Sequence, residues 1–142
     1  MRQSFGLKKV SSDTKVRNDM RRPSDHELYG KLKTASEAAS AGRINLVEPT
    51  PILADLTDLD ILPEDLVELI PKMVAEIGPQ HYRGKRPPEK SYEVQIKGGE
   101  LYAFRWMSKE LGCIVYFKFA LKEGKLWIAS LHADRTQGRE GA

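Results

Sequence analysis

In the segment HYRGKR, His81, Arg83, Lys85 and Arg86 stand within six positions of one another, and two later apolar runs, VYFKF and WIASLH, carry Tyr116, Lys118, Ser130 and His132. Together these types suit cleavage of RNA by its own ribose 2′-hydroxyl. That reaction needs a base to take the hydroxyl proton, cations to hold the pentavalent phosphate and an acid for the departing 5′-oxygen. Imidazole titrates nearest to neutral pH, so His81 and His132 are the candidates for proton transfer. The planar fork of Arg83 can pair with two phosphate oxygens, Tyr116 can donate a hydrogen bond and Lys118 can hold the backbone. Lys85, Arg86, Lys118, Ser130 and Arg135 are the expected RNA contacts. Each residue also has a purely structural reading, Tyr116 and Lys118 as the wet face of an antiparallel sheet and His132 as an exposed histidine past a strand. Three scattered histidines and one cysteine show no ligand spacing, so neither a metal nor a cofactor is expected.

For these groups to act together, the strands that carry them must set them on one face. Cys113 to Leu121 and Lys125 to Leu131 read as strands around Lys122-Glu123-Gly124, a three-residue hairpin loop with Gly124 in the left-handed conformation. Pairing Leu121 with Lys125 sets Tyr116 opposite Ser130, Lys118 opposite Ile128 and Ile114 opposite His132, because antiparallel partners keep a constant sum of residue numbers. Tyr116, Lys118, Ser130 and His132 then share a face. The core face holds Cys113, Val115, Phe117, Phe119 and Leu121 with Trp127, Ala129 and Leu131. A slip of one residue scatters the first set. Tyr92 to Lys97, a Gly98-Gly99 turn and Glu100 to Met107 read as the preceding hairpin, which completes a four-stranded antiparallel meander. Residues 78 to 90 are a loop rich in glycine and proline.

Ahead of the meander the period is helical. Ser24 and Glu27 have the spacing of a capping box, and Leu28, Leu32, Ala35 and Ala39 form one stripe that ends at Gly42. Residues 43 to 48 are a short extended piece. Thr50-Pro51 opens a second helix. Pro63 with Glu64 and Asp65 opens a third, which Pro71 is expected to kink or split. The expected fold is α+β, with the N-terminal helices packed on one face of the C-terminal meander. Residues 24–135 form its single domain, between a flexible basic arm, 1–23, and a flexible tail, 136–142.

The chain has 142 residues, 40% hydrophobic and 30% charged, a composition that fits one mixed globular domain and excludes a fibrous or disordered chain. No apolar run approaches the ~20 residues of a membrane span, and no apolar segment of a secretory signal follows the basic N-terminus. A cytoplasmic protein without membrane contact is expected, and the lone Cys113 excludes an internal disulfide. The net charge of +3 hides an uneven distribution. Residues 1 to 22 carry seven basic and two acidic groups, residues 43 to 70 one basic and seven acidic, and residues 71 to 142 thirteen basic and eight acidic. Basic flanks around an acidic middle suit a polyanionic partner, of which nucleic acid is the usual one.

The order of segments SAGR, LADL, LPEDLVELI, HYRG, VYFKF and WIASLH resembles the MqsR family of type II toxins, which are related in fold to RelE-like messenger RNA interferases. The resemblance spans roughly His26 to Arg135. It implies catalytic or RNA-binding roles for Tyr82 and Arg83, Tyr116 and Lys118, and Ser130 and His132, and an endoribonuclease neutralised by a protein antitoxin. Lysine is usual in that family where Arg83 and His132 stand, and an arm of this length is unusual. Two other classes fit the same residues: a non-catalytic nucleic-acid-binding or regulatory module, and a protein-interaction domain whose basic arm meets an acidic partner.

Overall fold

The structure, a computed structural model, describes residues 23–85, 88–91 and 93–134. Residues 1–22 of the arm, the tail, Arg86 and Arg135 lie outside the described residues.

Helix α1 (Asp25–Ser40) begins where Ser24 Oγ accepts from the Glu27 amide at 3.1 Å, as the spacing predicts. The Glu27 carboxylate does not complete the box; it faces the Tyr102 hydroxyl, 3.2 Å away. Helix α2 (Pro49–Asp58) starts two residues before the expected Pro51, with Glu48 at its N-cap in place of Thr50. A 3₁₀ turn, Pro63–Asp65, precedes α3 (Leu66–Val74), which runs through Pro71 instead of splitting there. The carbonyl that loses its partner belongs to Val67, a residue on the exposed side of the helix. Among the described residues no helix is long and apolar enough to cross a membrane.

Five strands follow the order β1-β5-β4-β3-β2 across one sheet: β1 (Ile44–Leu46), β2 (Glu89–Lys90), β3 (Glu100–Ser108), β4 (Cys113–Lys122) and β5 (Lys125–Ala133). β1 runs parallel to β5 and the other pairs are antiparallel. The fold is therefore α+β with a mixed five-stranded sheet, not the expected four-stranded meander. Two local facts produce the difference. The short piece at 44–46 joins the outer edge of β5. The expected strand from Tyr92 to Lys97 is not seen in its described part, residues 93–97: Ser91 donates to the Gly99 carbonyl at 2.9 Å and accepts from the Gly98 amide at 3.0 Å, and Val94–Ile96 form a 3₁₀ turn.

The hairpin between β4 and β5 also departs from the expected register. Lys122 pairs with Lys125, and Glu123 and Gly124 have φ of 56° and 73°, the signature of a two-residue type I′ turn. That moves the pairing by one residue. A bulge then moves it by one more, because Phe119 faces Ile128 while Lys118 faces Ser130, leaving Ala129 as the extra residue. Before the bulge, Leu126 and Ile128 take the core places expected of Trp127 and Ala129. Trp127 and Ala129 pack instead against a second cluster, Val47, Ile96, Leu101 and Ala120. Beyond the bulge the two shifts restore the alternation, and Leu131 enters the core as expected.

The main core joins the helical residues Leu28, Leu32, Ile52, Leu56, Ile70 and Met73 to the sheet face that carries Phe104, Phe117 and Phe119. Phe104 and Phe119 stack with centroids 6.0 Å apart. The opposite sheet face carries Arg105, Tyr116, Lys118, Ser130 and His132 beside the second cluster. One consequence of the turn is measurable. Glu123 holds a positive φ that costs a side-chain-bearing residue roughly 1 kcal/mol, less for asparagine. Glu123→Asn is expected to stabilise the protein by about 0.5 kcal/mol, read as a higher urea midpoint at unchanged slope.

Candidate functional site

On the open face, the register builds two rows. Tyr116 stands between Arg105 of β3 and His132 of β5, and Lys118 stands between Ala103 and Ser130. The expected pairs, Tyr116 with Ser130 and Ile114 with His132, are replaced by partners two positions farther along β5, the sum of the turn and bulge shifts. The four residues share the face all the same. The rings of Tyr116 and His132 stack with centroids 5.3 Å apart and planes 25° from parallel. His132 Nδ1 lies 2.8 Å from the Ala133 carbonyl. A carbonyl only accepts, so Nδ1 is the donor in this contact.

The segment after α3 adds a wall. Tyr82 forms an isolated antiparallel bridge with Phe104, and the Arg83 amide donates to the Ala103 carbonyl at 2.8 Å, so this segment lies beside the Lys118 row. The Tyr82 ring turns inward, edge-on to Phe104 at 5.7 Å, and its hydroxyl donates to the Lys85 carbonyl at 2.6 Å. Tyr82 thus shapes the loop and is buried away from any substrate. Glycine is required at 84, where a Cβ would come within 2.6 Å of Tyr82 Cζ. Arg83 Nη1 donates to the carbonyls of Gln80 at 3.1 Å and Tyr82 at 2.9 Å, which holds the guanidinium in place.

Arg83, Lys85, Glu89, Tyr116 and Lys118 enclose a cleft of about 140 Å³ with Leu101 and Ala103 at its base. Lys118 Nζ stands 4.0 Å from Glu89 Oε1. Burial, and then the charge of Glu89, push the Tyr116 hydroxyl above its ordinary pKa, so it stays protonated and remains a donor at neutral pH.

His81 is not part of this cleft. Its Nδ1 accepts from the Gly78 amide at 3.0 Å and closes a 3₁₀ turn, Pro79–His81. Burial, and then Arg83, lower its pKa, which favours the neutral ring that this hydrogen bond needs. The structure gives His81 a capping role within the loop that positions Arg83.

Two residues of the site carry little sequence signal. Arg105 lies directly across from Tyr116 and is ion-paired with Asp134, whose amide donates to the Ile114 carbonyl at 2.9 Å. Its position in the alternation Leu101, Ala103, Arg105, Met107 marks it as outward-facing once β3 is recognised. Glu89 sits on a two-residue strand after a proline-rich stretch, where no period singles it out.

No protein-family model matches the chain, and no curated protein matches it.

Proposed function

We propose that this protein is an endoribonuclease of the MqsR-like, RelE-related toxin class, which cleaves messenger RNA without a metal and is neutralised by a protein antitoxin. The convergence of Arg83, Lys118 and Tyr116 on one cleft, with His132 stacked against Tyr116, carries the reading. Arg83 and Lys118 hold the phosphate, and Tyr116 donates to a non-bridging oxygen as charge builds on it. Because His81 is committed to its turn, the base is Glu89, the carboxylate that lines the cleft beside Lys118. It takes the 2′-hydroxyl proton as the 2′-oxygen attacks phosphorus, and protonated His132 gives a proton to the departing 5′-oxygen. The products are a 2′,3′-cyclic phosphate and a 5′-hydroxyl.

Purified protein is expected to cut mixed RNA in the presence of EDTA, to leave cyclic-phosphate ends, and to spare RNA methylated at the 2′-oxygens. Intact RNA together with normal growth of cells expressing the protein would sink the proposal. Salt-sensitive binding without cleavage would assign the same face to a non-catalytic nucleic-acid module. The antitoxin part is tested separately, by whether a small protein encoded by a neighbouring reading frame forms a complex with this one and suppresses cleavage.

A further inference from the structure

We infer that a second, larger cleft on the open face seats a nucleobase, and that its carboxylates select bases bearing an exocyclic amino group over uracil. The inference rests on the RNA-cleavage reading and names how the same site chooses its substrate. The larger cleft, about 340 Å³, shares Glu89, Leu101 and Lys118 with the smaller one. An RNA strand whose phosphate lies at Arg83 and Lys118 is therefore led by continuity of the surface to place a neighbouring nucleotide there.

The lining fits a base better than a phosphate. Val47, Ile96, Leu101 and Ala129 give it an apolar floor, part of the cluster separate from the main core. Such a floor takes the face of a heterocycle. Around it stand Glu48, Glu89 and Glu93 against Lys90 and Lys118, so carboxylates outnumber ammonium groups. That excess repels a bare phosphate but not a neutral ring. Ionised carboxylates only accept hydrogen bonds. Cytosine and adenine offer an amino group, and guanine an amino group beside a ring N–H. Uracil offers one ring N–H between two carbonyl oxygens, which a carboxylate repels. Glu48 and Glu93 are the readers, since Glu89 already faces Lys118.

The test uses the full chain and the four nucleoside 5′-monophosphates, followed by the methyl NMR signals of Val47, Ile96, Leu101 and Ala129. Amino-bearing nucleotides are expected to shift these methyls at concentrations roughly tenfold lower than uridine monophosphate. Glu48→Gln combined with Glu93→Gln should narrow that ratio, and Ala129→Phe should fill the floor and abolish the shifts while the circular dichroism spectrum is unchanged. Equal affinity for all four nucleotides overturns the inference. So does a response of these methyls to an arginine-rich peptide and to no nucleotide. Because monomers are not cleaved, amino-selective binding beside intact RNA would keep the base site and remove the nuclease proposal, and cleavage without methyl shifts would do the reverse.

Discussion

Tyr116→Phe is expected to lower RNA cleavage about a hundredfold while leaving RNA affinity nearly unchanged. The substitution keeps the ring, and with it the stack on His132, so the pairing of β4 and β5 is not disturbed. Only the hydroxyl is lost. That hydroxyl is held protonated by burial and by the nearby Glu89 charge, so its contribution is a hydrogen bond that strengthens as negative charge develops on the phosphate. The measurement is a turnover rate on a fluorescent oligoribonucleotide beside a dissociation constant for its 2′-O-methyl analogue. A fall in affinity with an unchanged rate would mean that Tyr116 binds the ground state and does not favour the transition state. An unchanged rate and affinity would reduce it to a packing residue.

Much of this site is legible in the order of residues along the chain. The alternation in VYFKF and WIASLH puts Tyr116, Lys118, Ser130 and His132 on one face, and the folded sheet does so too. The agreement has an instructive cause. The expected register errs by one residue at the turn and by one at the bulge, and an even total returns each side chain beyond residue 129 to its expected face. Residues 126–128 lie before the second shift, and there the expected core residues are the wrong ones. Gly124 has a positive φ in either turn type, so its presence does not distinguish two residues from three. The bulge leaves no mark either, since Ala129 is a small residue in an apolar run. The parallel pairing of β1 is illegible for another reason: three residues carry no period, and only the tertiary fold brings them beside β5. The loop at 93–98 reads as a strand because Val94 and Ile96 alternate with polar residues, yet the ladder ends at Ser91 and Gly99.

The second large effect concerns stability. Glu76→Ala is expected to destabilise the fold by about 2–4 kcal/mol, measured by urea denaturation at pH 7. Glu76 ties the end of the α3 segment to the turn between β3 and β4. Its Oε1 accepts from Trp106 Nε1 at 2.9 Å and Ser108 Oγ at 2.8 Å, and its Oε2 accepts from the amides of Lys109 and Glu110, each at 2.9 Å. Trp106 and Ser108 are buried, so removing the carboxylate leaves two buried donors unsatisfied. Burial alone would raise the pKa of Glu76; the four hydrogen bonds outweigh it and hold the value below 4.5. A depressed carboxylate contributes stability that is fully present above the unfolded value and disappears as pH falls through the folded one. Stability should therefore decline below about pH 4.5, and Glu76→Gln should flatten part of that decline. The glutamine keeps one acceptor oxygen but turns an amide donor towards the other pair of N–H groups, so its loss at pH 7 should be smaller than alanine's. An equal acid response in the wild type and the glutamine variant would show that Glu76 is not the titrating tie.

Ala129 is the one residue of β5 without a partner of its own across β4. Removing it would leave Ile128 opposite Phe119 and Ser130 opposite Lys118, whereas a deletion farther along the strand would turn over every side chain beyond it. The strand can therefore change length at this position without inverting a face. Since Ala129 floors the larger cleft but not the smaller, a chain one residue shorter here would keep Tyr116, Lys118, Ser130 and His132 in register while the space beside them is rebuilt. Insertion and deletion, and not only substitution, would then be a route by which such a protein reshapes its larger cleft while leaving the row of Tyr116, Lys118, Ser130 and His132 intact.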